Sequence, residues 1–196
     1  MNPGDGRGRV NQKRRTRRAI VDACRSIVRS GAPVSMPDVA QSALVSEATA
    51  YRYFPDLISL INEALAGLWP SVAEAMSPVA RSADPSERVA FACEFLLRGV
   101  LVYQGAVRAM IAATITRSDL GSTRPGLRFG LIDEALRDVT HPDADRIAQL
   151  KIDLSAIVSA EAFFTLIDLG GLSPDDAIAS LVRTARTVTA AALDGR

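Results

Sequence analysis

The sequence predicts an all-α fold of about nine helices, and three observations carry that prediction. Apolar residues recur at three- and four-residue spacing almost throughout the 196-residue chain. No segment shows the sustained apolar/polar alternation, bounded by turn dipeptides, that marks strands. Helix starts are legible: Ser35-Met36-Pro37-Asp38, Asp84-Pro85-Ser86-Glu87 and Ser173-Pro174-Asp175-Asp176 each place an N-cap acceptor first and an acid in the first turn.

Taken in order, residues 1–12 lack apolar periodicity and read as a disordered basic arm. A first helix over 16–30 carries Ile20, Ala23, Cys24, Ile27 and Val28 on one face and stops at Gly31. That face makes Cys24 a core residue. Two short helices at 37–43 and 46–53 enclose a tight turn, and a longer one at 56–76 contains Pro70, which predicts a kink. Further helices are expected at 85–103, 105–117, 125–139, 143–169 and 174–193, with a loop from Gly121 to Gly126.

Composition narrows the function. The longest charge-free stretch, Ala64 to Ala73, is half of the roughly 20 residues a membrane helix needs, which excludes a spanning protein. Met1 to Val10 is rich in glycine and arginine and has no apolar run of the secretory type. Cys24 and Cys93 stand apart without metal-ligand spacing, so neither a zinc site nor a disulfide scaffold is indicated and a reducing cytoplasm is expected. The net charge of +1 hides a split: residues 1–55 hold ten Arg or Lys against four acids, whereas the remainder holds thirteen against eighteen. A concentrated basic front end on an acidic body points to an anionic partner, nucleic acid first; the plainer reading is a solvated tail.

Residues 37–53 have helix-turn-helix spacing, with Val39, Ala40, Val45 and Ala50 as the small apolar contact between the two helices. On that reading Ser46 to Tyr53 lies in a major groove with its N-terminal residues facing base edges; Glu47 can accept from a cytosine amino group and Arg52 can reach a phosphate or a guanine. Lys13, Arg14, Arg15, Arg17 and Arg18 crowd the start of the first helix, where the dipole is already positive, a local penalty that phosphate contacts would offset. Ser35 joins these candidates at the start of the second helix. For Tyr51 and Tyr53 the alternative is core packing, and Phe54 reads as core.

The run from Val34 to Ala40, followed by Val45-Ser46-Glu47-Ala48-Thr49-Ala50-Tyr51-Arg52-Tyr53-Phe54-Pro55, resembles the DNA-binding segment of TetR-family transcriptional regulators. The resemblance covers about 50 residues and is most specific at Thr-x-Tyr-Arg-Tyr-Phe; beyond that it is architectural. It implies base-edge contacts from Glu47 and Ala48 and phosphate or sugar contacts from Thr49, Tyr51 and Tyr53. The chain departs from the family pattern at Leu44, where the turn commonly has glycine, at the acidic Glu47, and at Leu57, where a lysine usually meets the DNA backbone.

The domains expected are the arm at 1–12, a DNA reader at 13–55 and a helical body at 56–196. The resemblance implies that the body binds a small ligand and that its last two helices pair with a second copy, giving a cytoplasmic bacterial homodimer that reads a palindromic operator, more in the manner of a repressor than an activator. Ile157, Phe164, Leu181, Ala185 and Val188 are the dimer candidates, with intramolecular core as their alternative. Trp69, Phe91, Phe95, Tyr103, Met110 and Phe129 are the bulky residues available to line an apolar ligand cavity or to fill a core. No cofactor or metal is expected. An enzyme is disfavoured, since the single His141 has no suggested partner and no glycine-rich phosphate loop exists. The competing function is a helical ligand-binding or interaction protein without specific operator binding.

Overall fold

In the computed structural model, which describes residues 4–116, 126–139 and 144–194, all regular structure is helical. The elements are α1 (Gly4–Arg29), α2 (Met36–Ser42), α3 (Glu47–Tyr53), α4 (Leu57–Leu65), α5 (Val72–Met76), α6 (Pro85–Val102), α7 (Gln104–Thr116), α8 (Leu127–Ala135), α9 (Ala144–Ile157), α10 (Ala160–Asp168) and α11 (Pro174–Leu193), with a 3-10 turn at Ser77–Val79. The all-α prediction holds, but eleven helices among the described residues replace the nine expected.

Two of the expected helices are divided, for local reasons. The span 56–76 ends early because Gly67 takes φ +76, and Ser71 then caps α5 while Glu74 returns a bond to the Ser71 amide. The bonds from Ser71, hydroxyl first and amide second, hold the Glu74 carboxyl below its ordinary value. The span 143–169 breaks at Ser159, whose backbone is extended and whose Oγ accepts the Ala162 amide at 3.1 Å. A hydroxyl that competes for the backbone restarts the helix.

The expected arm over 1–12 also differs, since α1 is helical from Gly4. Once α1 is nucleated on its apolar face, each residue added N-terminally gains a hydrogen bond at little cost, and no proline follows Pro3 to stop it. The expected loop over 121–125 and His141 lie outside the described residues.

Two compact units result, and their division does not follow the expected boundary at 55/56. The first comprises described residues within 1–68 and 102–124. Its core joins Ile20, Cys24 and Val28 of α1 and Val39 and Ala40 of α2 to Leu60, Ile61 and Ala64 of α4 and Ala106 and Met110 of α7. The second comprises described residues within 69–101 and 125–194. There α8 packs on α5 and α9, and α11 packs on α9 and α10. Arg88 is 5% exposed and its guanidinium donates to the carbonyls of Ala135 and Ser82, both at 2.7 Å, so it caps the C-terminal end of α8. Among the described residues no single helix is long and apolar enough to cross a membrane, and no three metal-ligating side chains gather.

Candidate nucleic-acid interface

In the first unit α2 packs on α1, and α3 packs on α2. Ser35 caps α2 by accepting the Asp38 amide and also bonds the Asp38 carboxylate. Ser46 caps α3 by accepting the Thr49 amide at 3.2 Å, and its hydroxyl meets Thr49 Oγ1 at 3.0 Å. Both serines expected as DNA contacts are therefore first of all helix caps. Such a cap is typically worth about 1 kcal/mol.

Between them the backbone closes α2 in a Schellman turn, with Leu44 N–H to Gln41 O at 3.1 Å and Val45 N–H to Ala40 O at 3.0 Å. This geometry puts Leu44 at φ +55, the left-handed position that favours glycine, and the substituent costs roughly 1 kcal/mol. Its side chain is 93% exposed.

α3 presents a clear outer face. Ala50 is fully buried against the core and Tyr53 packs beside it, while Ser46, Glu47, Ala48, Tyr51 and Arg52 are exposed and Thr49 is half-buried. Tyr51, at 49% exposure, is thus surface rather than core, whereas Tyr53 is half-buried with the Arg52 guanidinium 5.7 Å from its ring centre. Phe54 is core, as expected, and the Arg17 guanidinium lies 4.6 Å from its ring centre.

The basic cluster of α1 is exposed at Lys13, Arg14, Arg15, Arg17 and Arg18. Arg14, Arg15, Arg17 and Arg18 line an open groove of about 730 Å³ with Asn11, Val21, Asp22, Arg25 and Glu63. Asp22 offsets part of the charge, at 3.6 Å from Arg18 and 3.7 Å from Arg25, and Glu63 pairs with Arg17. Arg14 and Arg15 make no ion pair among the described residues. Arg25 also donates to the carbonyls of Ala64 at 3.0 Å and Glu63 at 3.5 Å, capping the end of α4. Sequence reasoning missed Arg25 and Glu63, because a contact across 38 or 39 residues leaves no periodic mark. Five arginines against two carboxylates form a surface suited to phosphates, beside an amphipathic helix whose outer face offers a carboxylate, two hydroxyls, a phenol and a guanidinium.

No known family profile matches the sequence, and no curated protein does. Among solved structures, a TetR transcriptional regulator from Rhodococcus sp. RHA1 superposes with a TM-score of 0.54 over 90% of this chain and 97% of that one, at 17% sequence identity. The fold is that of a TetR regulator.

Within this TetR fold the six expected ligand residues do not all come together. Met110 is buried and Tyr103 half-buried in the core of the first unit, against α1 and α4, so both serve packing there. Trp69, Phe91 and Phe95 are half-buried in the second unit, where Trp69 and Phe95 meet edge to face at 6.2 Å and Gly99 leaves room for the indole. Phe129 is 51% exposed beneath the Arg128 guanidinium. A separate open cleft of about 370 Å³ between α6 and α11 holds Arg98, bonded to Asp175 at 2.7 Å and to Glu94 at 3.3 Å; none of the six lines it.

The dimer candidates divide too. Phe164, Leu181 and Ala185 are buried within their own chain, where α11 packs on α9 and α10. Ile157 and Val188 are half-buried. The large apolar side chains that α9 and the end of α10 leave in the open are Ile152 and Leu169.

Proposed function

We propose that this protein is a sequence-specific DNA-binding transcriptional regulator that inserts α3 in the major groove and grips the flanking phosphates with the basic face of α1. The observation that carries this reading is the division of α3: Ala50 anchors it in the core while Glu47, Ala48, Tyr51 and Arg52 face outward next to an arginine-lined groove. Likeness of fold to a TetR transcriptional regulator supports it. The finer reading is a homodimeric repressor on a palindromic operator, since two α3 helices on a twofold axis double the contacts available to one. Ile152, Ile157, Leu169 and Val188 are its candidate dimer surface. Release by an apolar or aromatic ligand completes the scheme, with Trp69, Phe91 and Phe95 as the set facing that ligand.

The test is selection of bound DNA from a random duplex pool at two salt concentrations, with Tyr51→Ala as control. Enrichment of a palindrome by the wild type and its loss in the variant is the expected result. Salt dependence gives a second reading: each phosphate contact removed by Arg14→Ala or Arg15→Ala lowers the slope of log affinity against log salt by about 0.9. Binding that shows no sequence preference and vanishes at moderate salt would replace this function with that of a helical ligand-binding or interaction protein.

A further inference from the structure

The cleft between α6 and α11 carries more positive charge than its own carboxylates meet. Arg98 is held from two sides, by Asp175 at 2.7 Å and by Glu94 at 3.3 Å, which engages both acids that line the cleft. Arg183 and Arg186 line the same space from α11. Among the described residues Arg183 has only a 3.4 Å bond to the Ser180 hydroxyl, and Arg186 makes no hydrogen bond or ion pair. Three residues apart on a helix, their side chains are neighbours, so both guanidiniums can close on one anion. The lining beside them is apolar, with Ile178, Ala179 and Val182 from α11 and Ala90 from α6. From Ile178 to Arg186 this strip runs about 12 Å, at about 1.5 Å per residue. At about 370 Å³ the cleft has the size of a small-molecule site.

We propose that this cleft binds an amphipathic carboxylate, of the class of a medium-chain fatty acid, with its carboxylate between Arg183 and Arg186 and its apolar chain along Val182, Ala179 and Ile178. A bare anion would leave the apolar strip in water, and a neutral apolar molecule would strip water from two cations without pairing them. A carboxylate with an apolar tail satisfies both. Arg98 with its two acids closes the far end of the cleft with an excess of negative charge, which sets the direction of the ligand: its head is repelled there and drawn to the arginine pair. All of these residues belong to the second unit, so the site stands independently of DNA reading, and Trp69, Phe91 and Phe95 contribute nothing to it.

The experiment is isothermal titration of the full-length protein with decanoate, hexanoate and decanol, each below its micellar range, at two salt concentrations. Decanoate should bind saturably, and more weakly at the higher salt. Hexanoate should bind about tenfold less tightly, since each methylene lost from an open cleft removes about a factor of two. Decanol keeps the tail and lacks the charge, and should also bind about tenfold less tightly than decanoate. Arg183→Gln and Arg186→Gln should each weaken decanoate about threefold and the double variant about tenfold, with decanol unaffected. Both side chains are exposed, so these variants should melt with the wild type, which a thermal melt checks. Ala179→Asp supplies Arg183 with an internal carboxylate one turn away and should weaken decanoate as Arg183→Gln does. Absence of saturable decanoate binding, decanol binding as tight as that of decanoate, or a double variant that keeps the wild-type affinity would each overturn the proposal.

Discussion

Gly105→Ala tests whether α7 belongs to the unit that carries α3. Gly105 lies in the first turn of α7, and a methyl group built there would stand 1.9 Å from the Ala32 carbonyl oxygen, 2.5 Å from the Ala32 carbonyl carbon and 3.0 Å from the Gly31 oxygen. Ordinary contact begins near 3.4 Å, and the atoms in the way are backbone, so no side chain can rotate aside. The turn in question closes α1 through Gly31 at φ +73 and has little freedom to retreat. Overpacking of this kind costs about 1–3 kcal/mol. Against it stands the better helix propensity of alanine, at most about 1 kcal/mol and less in a first turn. A net loss of about 2 kcal/mol follows, which lowers the melting temperature by about 4–8 °C in a chain of this size. Gly126→Ala is the control, since nothing lies within 4 Å of its added carbon and its stability should stay within about 0.5 kcal/mol of wild type. Circular dichroism melts and urea midpoints on both variants decide the matter. A Gly105→Ala protein as stable as Gly126→Ala would refute the seating of α7 on the α1 turn.

Arg88→Leu keeps the volume but removes both guanidinium bonds, leaving the buried end of α8 without a donor; unfolding experiments should show a loss of about 3 kcal/mol, and a change under 1 would show that the cap is not used. Phe164→Ala and Leu181→Ala should each cost about 2–5 kcal/mol by cavity formation; dissociation of a dimer with unchanged subunit stability, read by sedimentation and denaturation together, would return these residues to the interface. Burial pushes the Cys24 and Cys93 thiols up to about 12 from 9.0, so both stay protonated in the native protein and a thiol reagent at pH 8 should label them only on unfolding. The folded-state values are raised, so the contribution is fully present below pH 9 and is lost as pH rises from there toward 12; each thiol should cost on the order of 1 kcal/mol by pH 10, and Cys24→Ala should lose correspondingly less over that interval.

What could be read from the sequence was what local chemistry determines. The N-caps at Ser35 and Ser173 mark their helices because a side-chain oxygen and an amide three residues on are neighbours along the chain. The outer and inner faces of α3 followed from Ala50 and the caps around it. At Leu44 the sequence showed only a departure from the family's usual glycine; the left-handed backbone there is a finding of the structure. Breaks within apolar runs were not. Ser159 and Gly67 interrupt a periodicity that continues on either side, and period alone cannot distinguish one long helix from two that pack on the same core.

Phe164 and Leu181 show where periodicity stops being informative: an apolar row on a helix states that the face is covered and not by what. The same ambiguity runs the other way at Tyr103 and Met110, which look as available for a ligand as Trp69 and Phe95 yet are placed by α7 against α1 and α4. That placement has a functional consequence. The core cluster that holds Ala50 of α3 also holds Leu60, Ile61 and Ala64 of α4 and Ala106 and Met110 of α7, more than 50 residues further along the chain, so on the proposed function α3 shares its support with α4 and α7. Arg25 clamps the last carbonyls of α4 and Glu63 holds Arg17, a cation of the proposed phosphate-binding face. On the proposed function, a displacement of α4 would alter the core that holds Ala50 and the charge of the basic face in a single step, which is the coupling that a ligand-controlled DNA-binding regulator would require.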